Sequence, residues 1–133
     1  MKTYTIEDIR DLQPCYDPNK WLPENWEGTV VDILDHPEIP PQDKIWVVRN
    51  WIDDRTLRLF AVWCAREALK LISNPDPRSV EACNVAERFA NGEATSGELA
   101  ATAIAATYAA TAAATANSAT TREKQVQHLR KML

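Results

Sequence analysis

The side chains that could do chemistry in this 133-residue chain are few and widely spaced. The two histidines, His36 and His128, have no His or Cys neighbour at the spacing of metal ligands. The three cysteines, Cys15, Cys64 and Cys83, are odd in number and far apart, which predicts free buried thiols in a reducing compartment. The sequence therefore predicts no metal site and no cofactor.

The sequence also contains no combination of residues that is typical of a catalytic site. A cysteine nucleophile needs a histidine base beside it, but Cys64 falls on the predicted core face of its helix. The glycines form no phosphate-binding loop. The neighbouring carboxylates Asp53 and Asp54 are explained as capping acids of a long helix. We therefore expect that the protein is not an enzyme.

Arginines provide the pattern that best fits a small-ligand site. Guanidinium groups bind anions with paired hydrogen bonds, and a pocket between two helices could gather several of them. The candidate anionic-ligand cluster consists of Arg55, Arg58, Arg66 and Arg88. It requires that the two helices carrying these residues face each other.

The elements that would position these side chains are helices separated by prolines. Apolar spacing, caps and composition predict an all-α protein, a single-domain helical bundle with a Trp/Pro-rich N-terminal arm and a long Ala/Thr-rich C-terminal helix. Its predicted parts within the single domain 1–133 are an acidic arm with short helices at 1–52, two core helices at 53–91 and a long alanine-rich helix at 95–133.

Capping residues predict where several of these helices begin. Thr5 and Thr29 are expected to be N-caps of short helices in the arm. Asp76 precedes Pro77, a pairing typical of an N-cap followed by the first helical residue. Thr95 and Glu98 match the spacing of a capping box.

The helix predicted from Asp53 or Asp54 to about Ile72 is apolar on two sides. Its main stripe has the spacing of a buried face and contains Leu57, Phe60, Ala61, Cys64, Ala65, Ala68, Leu71 and Ile72. The other side mixes apolar and basic residues, which is typical either of a central helix in a bundle or of a helix that contacts a partner. The partner-binding candidates on that side are Leu59, Val62, Trp63, Leu69, Arg58 and Arg66.

The C-terminal third contains no glycine or proline after residue 98 and is rich in alanine, the strongest helix former. We expect one long helix, weakened near Asn117. Its face of methyl groups either packs thinly on the bundle or forms a homodimer. The amphipathic tail 121–133 could also form a symmetric contact in a dimer.

Charge is unevenly distributed along the chain. Residues 1–54 carry 12 acidic and five basic side chains, whereas residues 55–133 carry seven acidic and ten basic ones. Either the acidic arm packs on the basic helices, or it forms a face for a basic partner. No dense basic patch indicates nucleic acid, and no apolar run approaches the ~20 residues of a membrane span. Without a targeting segment, we expect a cytoplasmic protein.

One part of the chain has a family resemblance. Its most specific motifs are Asp-Arg-x-x-Arg-Leu-Phe and Trp-Cys-x-Arg-Glu within residues 54–67, followed by the stretch Val85–Gly92. Together with the alanine-rich segment, over residues 53–116, this resembles small bacteriophage proteins of unknown function and the Imm5 family of immunity proteins of polymorphic toxin systems. The Trp-rich arm is more similar to the phage group. The family supplies no catalytic residues that could be carried over.

The resemblance implies a protein that acts by binding in the bacterial host cytoplasm. We expect a phage-encoded protein-binding module that inhibits or redirects a host protein, for instance a defence component, by occlusion. One alternative is an immunity protein that neutralises a toxin protein. The other is a binder of small anionic ligands that uses the arginine cluster.

Overall fold

The computed structural model describes residues 1–102 and 119–133 and divides the chain into two compact units. Unit 1 contains Met1–Ile52 and Arg122–Leu133, and unit 2 contains Asp53–Thr121. Seven α-helices occur in the described residues, so the fold is helical, as predicted. The structure adds one feature that the sequence did not suggest, an antiparallel pair of two-residue strands.

The N-terminal part of unit 1 is a series of short elements. In chain order they are β1 (Tyr4–Thr5), α1 (Ile6–Asp11), a 3-10 helix (Pro18–Lys20), β2 (Glu27–Gly28), α2 (Val30–Leu34) and α3 (Pro41–Val48). In the sheet, Tyr4 is opposite Gly28 and Thr5 is opposite Glu27. Each strand therefore leads directly into the N-cap of a helix.

Two capping boxes fix these strand-to-helix junctions. The Thr5 hydroxyl accepts a hydrogen bond from the Asp8 amide, and the Thr5 amide donates to the Asp8 carboxylate at 2.8 Å. Thr29 and Asp32 repeat the arrangement, with the returning bond at 2.7 Å. The two predicted threonine caps are confirmed. Reciprocal bonds of this kind satisfy backbone donors that would otherwise have no partner.

The core of unit 1 is built from large side chains of several elements. The largest fully buried ones in the described residues are Ile9, Ile33, Val48 and Leu129. Leu129 comes from the last helix, α7 (Ala119–Met132), whose residues from Arg122 onward belong to this unit. Burial of such side chains contributes about 1.5–3 kcal/mol each.

The C-terminal tail packs within unit 1. Val126 and Leu129, two apolar residues of the amphipathic tail, are both buried. Arg130 Nε donates to the Asp35 carboxylate at 3.2 Å, which links α7 to the end of α2. A dimer contact through this tail stays a prediction, and it would have to use residues other than Val126 and Leu129.

The charge asymmetry of the sequence is largely offset inside unit 1. Residues 1–52 carry ten acidic and five basic side chains, and residues 122–133 carry one acidic and four basic ones, giving a formal charge of −2. Lys44 lies close enough to Asp35 and Glu123 for both carboxylates to act on its charge. The basic tail therefore pairs with the acidic arm, which weakens the case for an acidic face that binds a basic partner.

Unit 2 contains three described helices that begin at the predicted caps. They are α4 (Asp54–Leu69), α5 (Pro77–Ala90) and α6 (Ser96–Ala101), with Asp53, Asp76 and Thr95 as N-caps. Helices α4 and α5 pack as an antiparallel hairpin. One cluster of its core consists of Val62, Leu69 and Cys83, against which Ala65 and Ala86 pack. Four more apolar residues of the two helices are buried: Phe60, Ala68, Ala82 and Val85.

The structure reverses part of the predicted orientation of α4. Val62 and Leu69, assigned to the partner-facing side, are buried, whereas Ala61, Leu71 and Ile72 of the predicted core stripe are exposed. The helix ends at Leu69, earlier than the prediction based on Pro75, so Leu71 and Ile72 leave the helical register. The amphipathic pattern was misread because α4 is apolar on both sides.

The long helix predicted from residue 95 is interrupted early. Helix α6 ends at Ala101, and the Thr102 hydroxyl donates to the Leu99 carbonyl at 2.8 Å, which competes with the helical bond at that point. The remaining alanine–threonine segment, residues 103–118, lies outside the described residues. The predicted methyl face and the weak point near Asn117 fall within it.

Candidate functional site

Two of the four candidate arginines lie at one end of the α4–α5 hairpin. Arg55 Nη2 donates to Asn91 Oδ1 at 2.8 Å. The Arg58 guanidinium lies over the Phe89 ring, 4.7 Å from its centroid, in a cation–π contact. Both side chains therefore connect the beginning of α4 to the end of α5.

The other two arginines are paired with carboxylates. Arg66 forms an ion pair with Glu87, and its Nη2 donates to Asn84 Oδ1 at 3.0 Å. Arg88 lies between Glu81 and Glu98, with N–O distances of 3.8 and 3.7 Å. These pairs connect α4 to α5 and α5 to α6, and they neutralise both guanidiniums.

Each of the four arginines therefore has its own partner within the protein, and these contacts are spread along the α4–α5 hairpin. An anion would have to displace a carboxylate from Arg66 or Arg88 before either could bind it. This arrangement counts against the predicted cluster of Arg55, Arg58, Arg66 and Arg88 as one anionic-ligand site. The sequence could not reveal these contacts, because the hydrogen-bond partners of Arg55 and Arg66 lie 18 or more residues away along the chain.

The predicted partner-binding residues divide into two groups. Val62 and Leu69 form the hairpin core, so a partner cannot reach them while unit 2 is folded. Leu59 and Trp63 are half-buried, as are Arg58 and Arg66. Two of the six candidates therefore lie in the core of the unit, and the other four keep part of their surface accessible.

Three exposed apolar residues occur instead close to the connection between α4 and α5. Leu71 and Ile72 follow the end of α4 with exposed fractions of 73% and 43%, and Val80 in the first turn of α5 is 40% exposed. We call these three residues the hairpin tip. They are three of the five exposed large apolar residues in the described part of the chain.

Charged pairs flank the hairpin tip. Lys70 Nζ bonds to Glu67 Oε1 at 2.5 Å, and Arg78 Nη2 bonds to Asp76 Oδ2 at 2.8 Å. The hydrogen bonds from Arg78 hold the pKa of the Asp76 carboxyl below its ordinary value. Exposed apolar residues accompanied by charged ones are typical of protein–protein binding surfaces. The helix prediction missed the tip because it extended α4 through Ile72.

The cysteines differ from one another in exposure. Cys83 is buried, and its burial raises the pKa of its thiol against the opposing effect of Arg66. Cys64 is half-buried and Cys15 is exposed, so the prediction of buried thiols is wrong for Cys15. Within residues 1–102 and 119–133, no three His, Cys, Asp or Glu side chains come together as a metal site would require.

Comparison of the chain with protein-family models, with curated proteins and with solved structures finds no match. In the part of the chain that the structure describes, no helix has both the length and the apolar composition needed to cross a bilayer.

Proposed function

We propose that the protein is a binding module that occludes a surface of a partner protein through the hairpin tip. The observation that carries the proposal is the exposure of Leu71, Ile72 and Val80 at one end of the α4–α5 hairpin. Exposed neighbouring apolar side chains are costly for an isolated protein and are typical of binding surfaces. A partner that covers them would gain about 25 cal/mol per Å² of apolar area removed from water.

The hairpin is built to present this surface in a fixed geometry. Contacts of Arg55, Arg58 and Arg66 with α5 tie the two helices together along their length. Asp53 and Asp76 cap the two helices at their first turns. Because the surface is already ordered, binding would lose little conformational entropy.

The resemblance of residues 53–116 to phage proteins favours a phage origin and a host protein as the partner, for instance a defence component. An immunity protein that covers a toxin would use the same kind of surface. Gene neighbourhood separates the two: phage early genes around the coding sequence support the first function, and a toxin gene directly upstream supports the second.

Affinity capture with single-residue variants tests the proposal. The full-length protein, Leu71→Asp and Leu133→Asp are each used as bait in a bacterial lysate, and the captured protein is then purified and titrated by calorimetry. Leu133 is the matched control, because it is also an exposed leucine but belongs to unit 1. We expect one stoichiometric partner, bound at least about tenfold more weakly by Leu71→Asp, as is typical of a central interface residue.

Two results would contradict the proposal. One is that the wild-type protein captures no stoichiometric partner. The other is that Leu71→Asp, with unchanged circular dichroism, binds the partner as tightly as Leu133→Asp does.

A further inference from the structure

Three aromatic rings of unit 1 meet at steep angles. The Tyr16 ring lies 4.8 Å from the Trp21 ring at an interplanar angle of 69° and 6.5 Å from the Trp46 ring at 68°. All three side chains are half-buried, so parts of their surfaces still face water. We call Tyr16, Trp21 and Trp46 the aromatic corner.

The carboxylate of Asp43 belongs to the same helix as Trp46 of the aromatic corner. Asp43 precedes Trp46 by three residues in α3, which places both side chains on the same side of the helix. Two effects raise the pKa of the Tyr16 hydroxyl to about 12. Burial is the larger, and the negative charge of Asp43 is the smaller. Asp43 is half-buried itself, and burial raises the pKa of its carboxyl.

The Asp43 carboxylate has an unusual environment for a half-buried charge. Within the described residues it accepts no hydrogen bond and forms no ion pair. Burial makes the charged form of such a carboxylate costly when no hydrogen bond or ion pair compensates it directly. A bound cation would remove this cost.

The corner already attracts an ammonium group of the chain itself. Lys20 Nζ lies 5.2 Å from the centroid of the Trp21 ring, within cation–π range. Its charge also acts on Asp43, where it opposes the effect of burial. Lys20 is exposed, so another cation can compete with it for the ring face.

We propose that Tyr16, Trp21, Trp46 and Asp43 form a binding site for a methylated ammonium group. The aromatic faces attract the charge while they cover the methyl groups, and the carboxylate supplies the counter-charge. Methylation favours binding here because a quaternary ammonium loses less hydration than Lys20 does when it meets an aromatic surface. A free quaternary amine and a methylated lysine side chain share this chemistry. The site lies in unit 1 and does not depend on the hairpin tip.

Titration of the full-length protein with choline, followed by the indole NH signals in ¹H–¹⁵N NMR spectra, tests the site. The neutral isostere 3,3-dimethyl-1-butanol has the same shape without the charge and serves as the matched ligand. A second arm uses a trimethyllysine peptide and its unmethylated form to distinguish the two sources. Trp21→Phe and Trp46→Phe assign the signals, and the Trp26 signal is an internal reference in the same unit.

We expect saturable shifts of the Trp21 and Trp46 signals with choline, and binding of the neutral isostere that is weaker by about fivefold or more. Asp43→Asn should weaken choline binding by a similar factor. Glu38→Gln, which removes an exposed charge from the same unit, should not. Lys20→Gln should strengthen binding, because it removes the internal competitor. Equal responses to choline and the isostere, no saturable shift of either signal, or no effect of Asp43→Asn would each overturn the proposal.

Discussion

Unit 1 and unit 2 reach stability in different ways. Unit 1 contains the largest fully buried side chains in the described residues, and its short helices begin at reciprocal capping boxes. In unit 2 the buried apolar residues of the described part all come from the α4–α5 hairpin, whose helices are also joined by polar contacts of surface arginines; they are Phe60, Val62, Ala68, Leu69, Ala82, Cys83 and Val85. Under the proposed function this difference is a division of labour, in which unit 1 supplies a closed core and unit 2 presents exposed apolar residues to a partner.

The largest effect is expected from the core of unit 1. Leu129→Ala should lower the free energy of unfolding by about 3 kcal/mol, because the side chain is fully buried and leaves a cavity. Urea unfolding followed by tryptophan fluorescence measures this, since four of the five tryptophans lie in unit 1. Leu133→Ala, at an exposed position of the same C-terminal segment, should change it by less than about 0.5 kcal/mol. Equal effects would mean that α7 does not complete this core.

The next effect tests which side of α4 faces inward. Leu69→Ala should destabilise unit 2 by about 2 kcal/mol, whereas Leu71→Ala should stay within about 0.5 kcal/mol of the wild type. Hydrogen exchange of the α4 and α5 amides reports on this unit. If Leu71→Ala were instead the more destabilising variant, Leu71 would be part of the core, as the sequence predicts, and the hairpin tip would not be an exposed surface.

These two regions also show which features the sequence could predict. The caps at Thr5, Thr29, Asp76 and Thr95 are predicted correctly, because a cap is a local feature of a few residues. For α4 the sequence leaves Asp53 and Asp54 open, and the structure has Asp53 as the N-cap. The sequence does not predict which side of α4 faces the core, because both sides are apolar and tertiary packing decides between them. Contacts such as that of Arg66 with Glu87 depend on how two helices align, which spacing within one helix does not reveal.

A smaller effect is expected from the junctions of unit 1. Thr29→Ala should cost about 1 kcal/mol, because it removes the acceptor for the Asp32 amide at the start of α2. Thr29→Ser keeps the hydroxyl and should recover most of the loss. Urea unfolding of the three proteins measures both changes. If the alanine variant is as stable as the serine variant, the capping box does not determine this junction.

The smallest effect is a pH dependence at the surface of unit 1. Arg10 makes two hydrogen bonds to Glu24, at 2.8 and 2.6 Å, which together with Asn19 lower the pKa of the Glu24 carboxyl from 4.5 to about 2. Because the pKa is lower in the folded protein, this contribution to stability is fully present above about pH 4.5 and is lost as the pH falls towards 2. It is small, since exposed ion pairs are screened by solvent.

Urea midpoints measured between pH 2 and 6 test this sign. Glu24→Gln should flatten the decline at low pH relative to the wild type, whereas Glu27→Gln, an exposed glutamate nearby in the sequence, should keep it. A decline that is identical in all three proteins would show that the Arg10–Glu24 contact does not contribute.

Hydrogen–deuterium exchange of the complex with the captured partner tests the central claim, that unit 2 binds through the hairpin tip, most directly. The amides of residues 67–82 should become protected on binding, while exchange in α1, α2 and α3 stays unchanged. Protection confined to unit 1, with none around Leu71 and Val80, would contradict the claim.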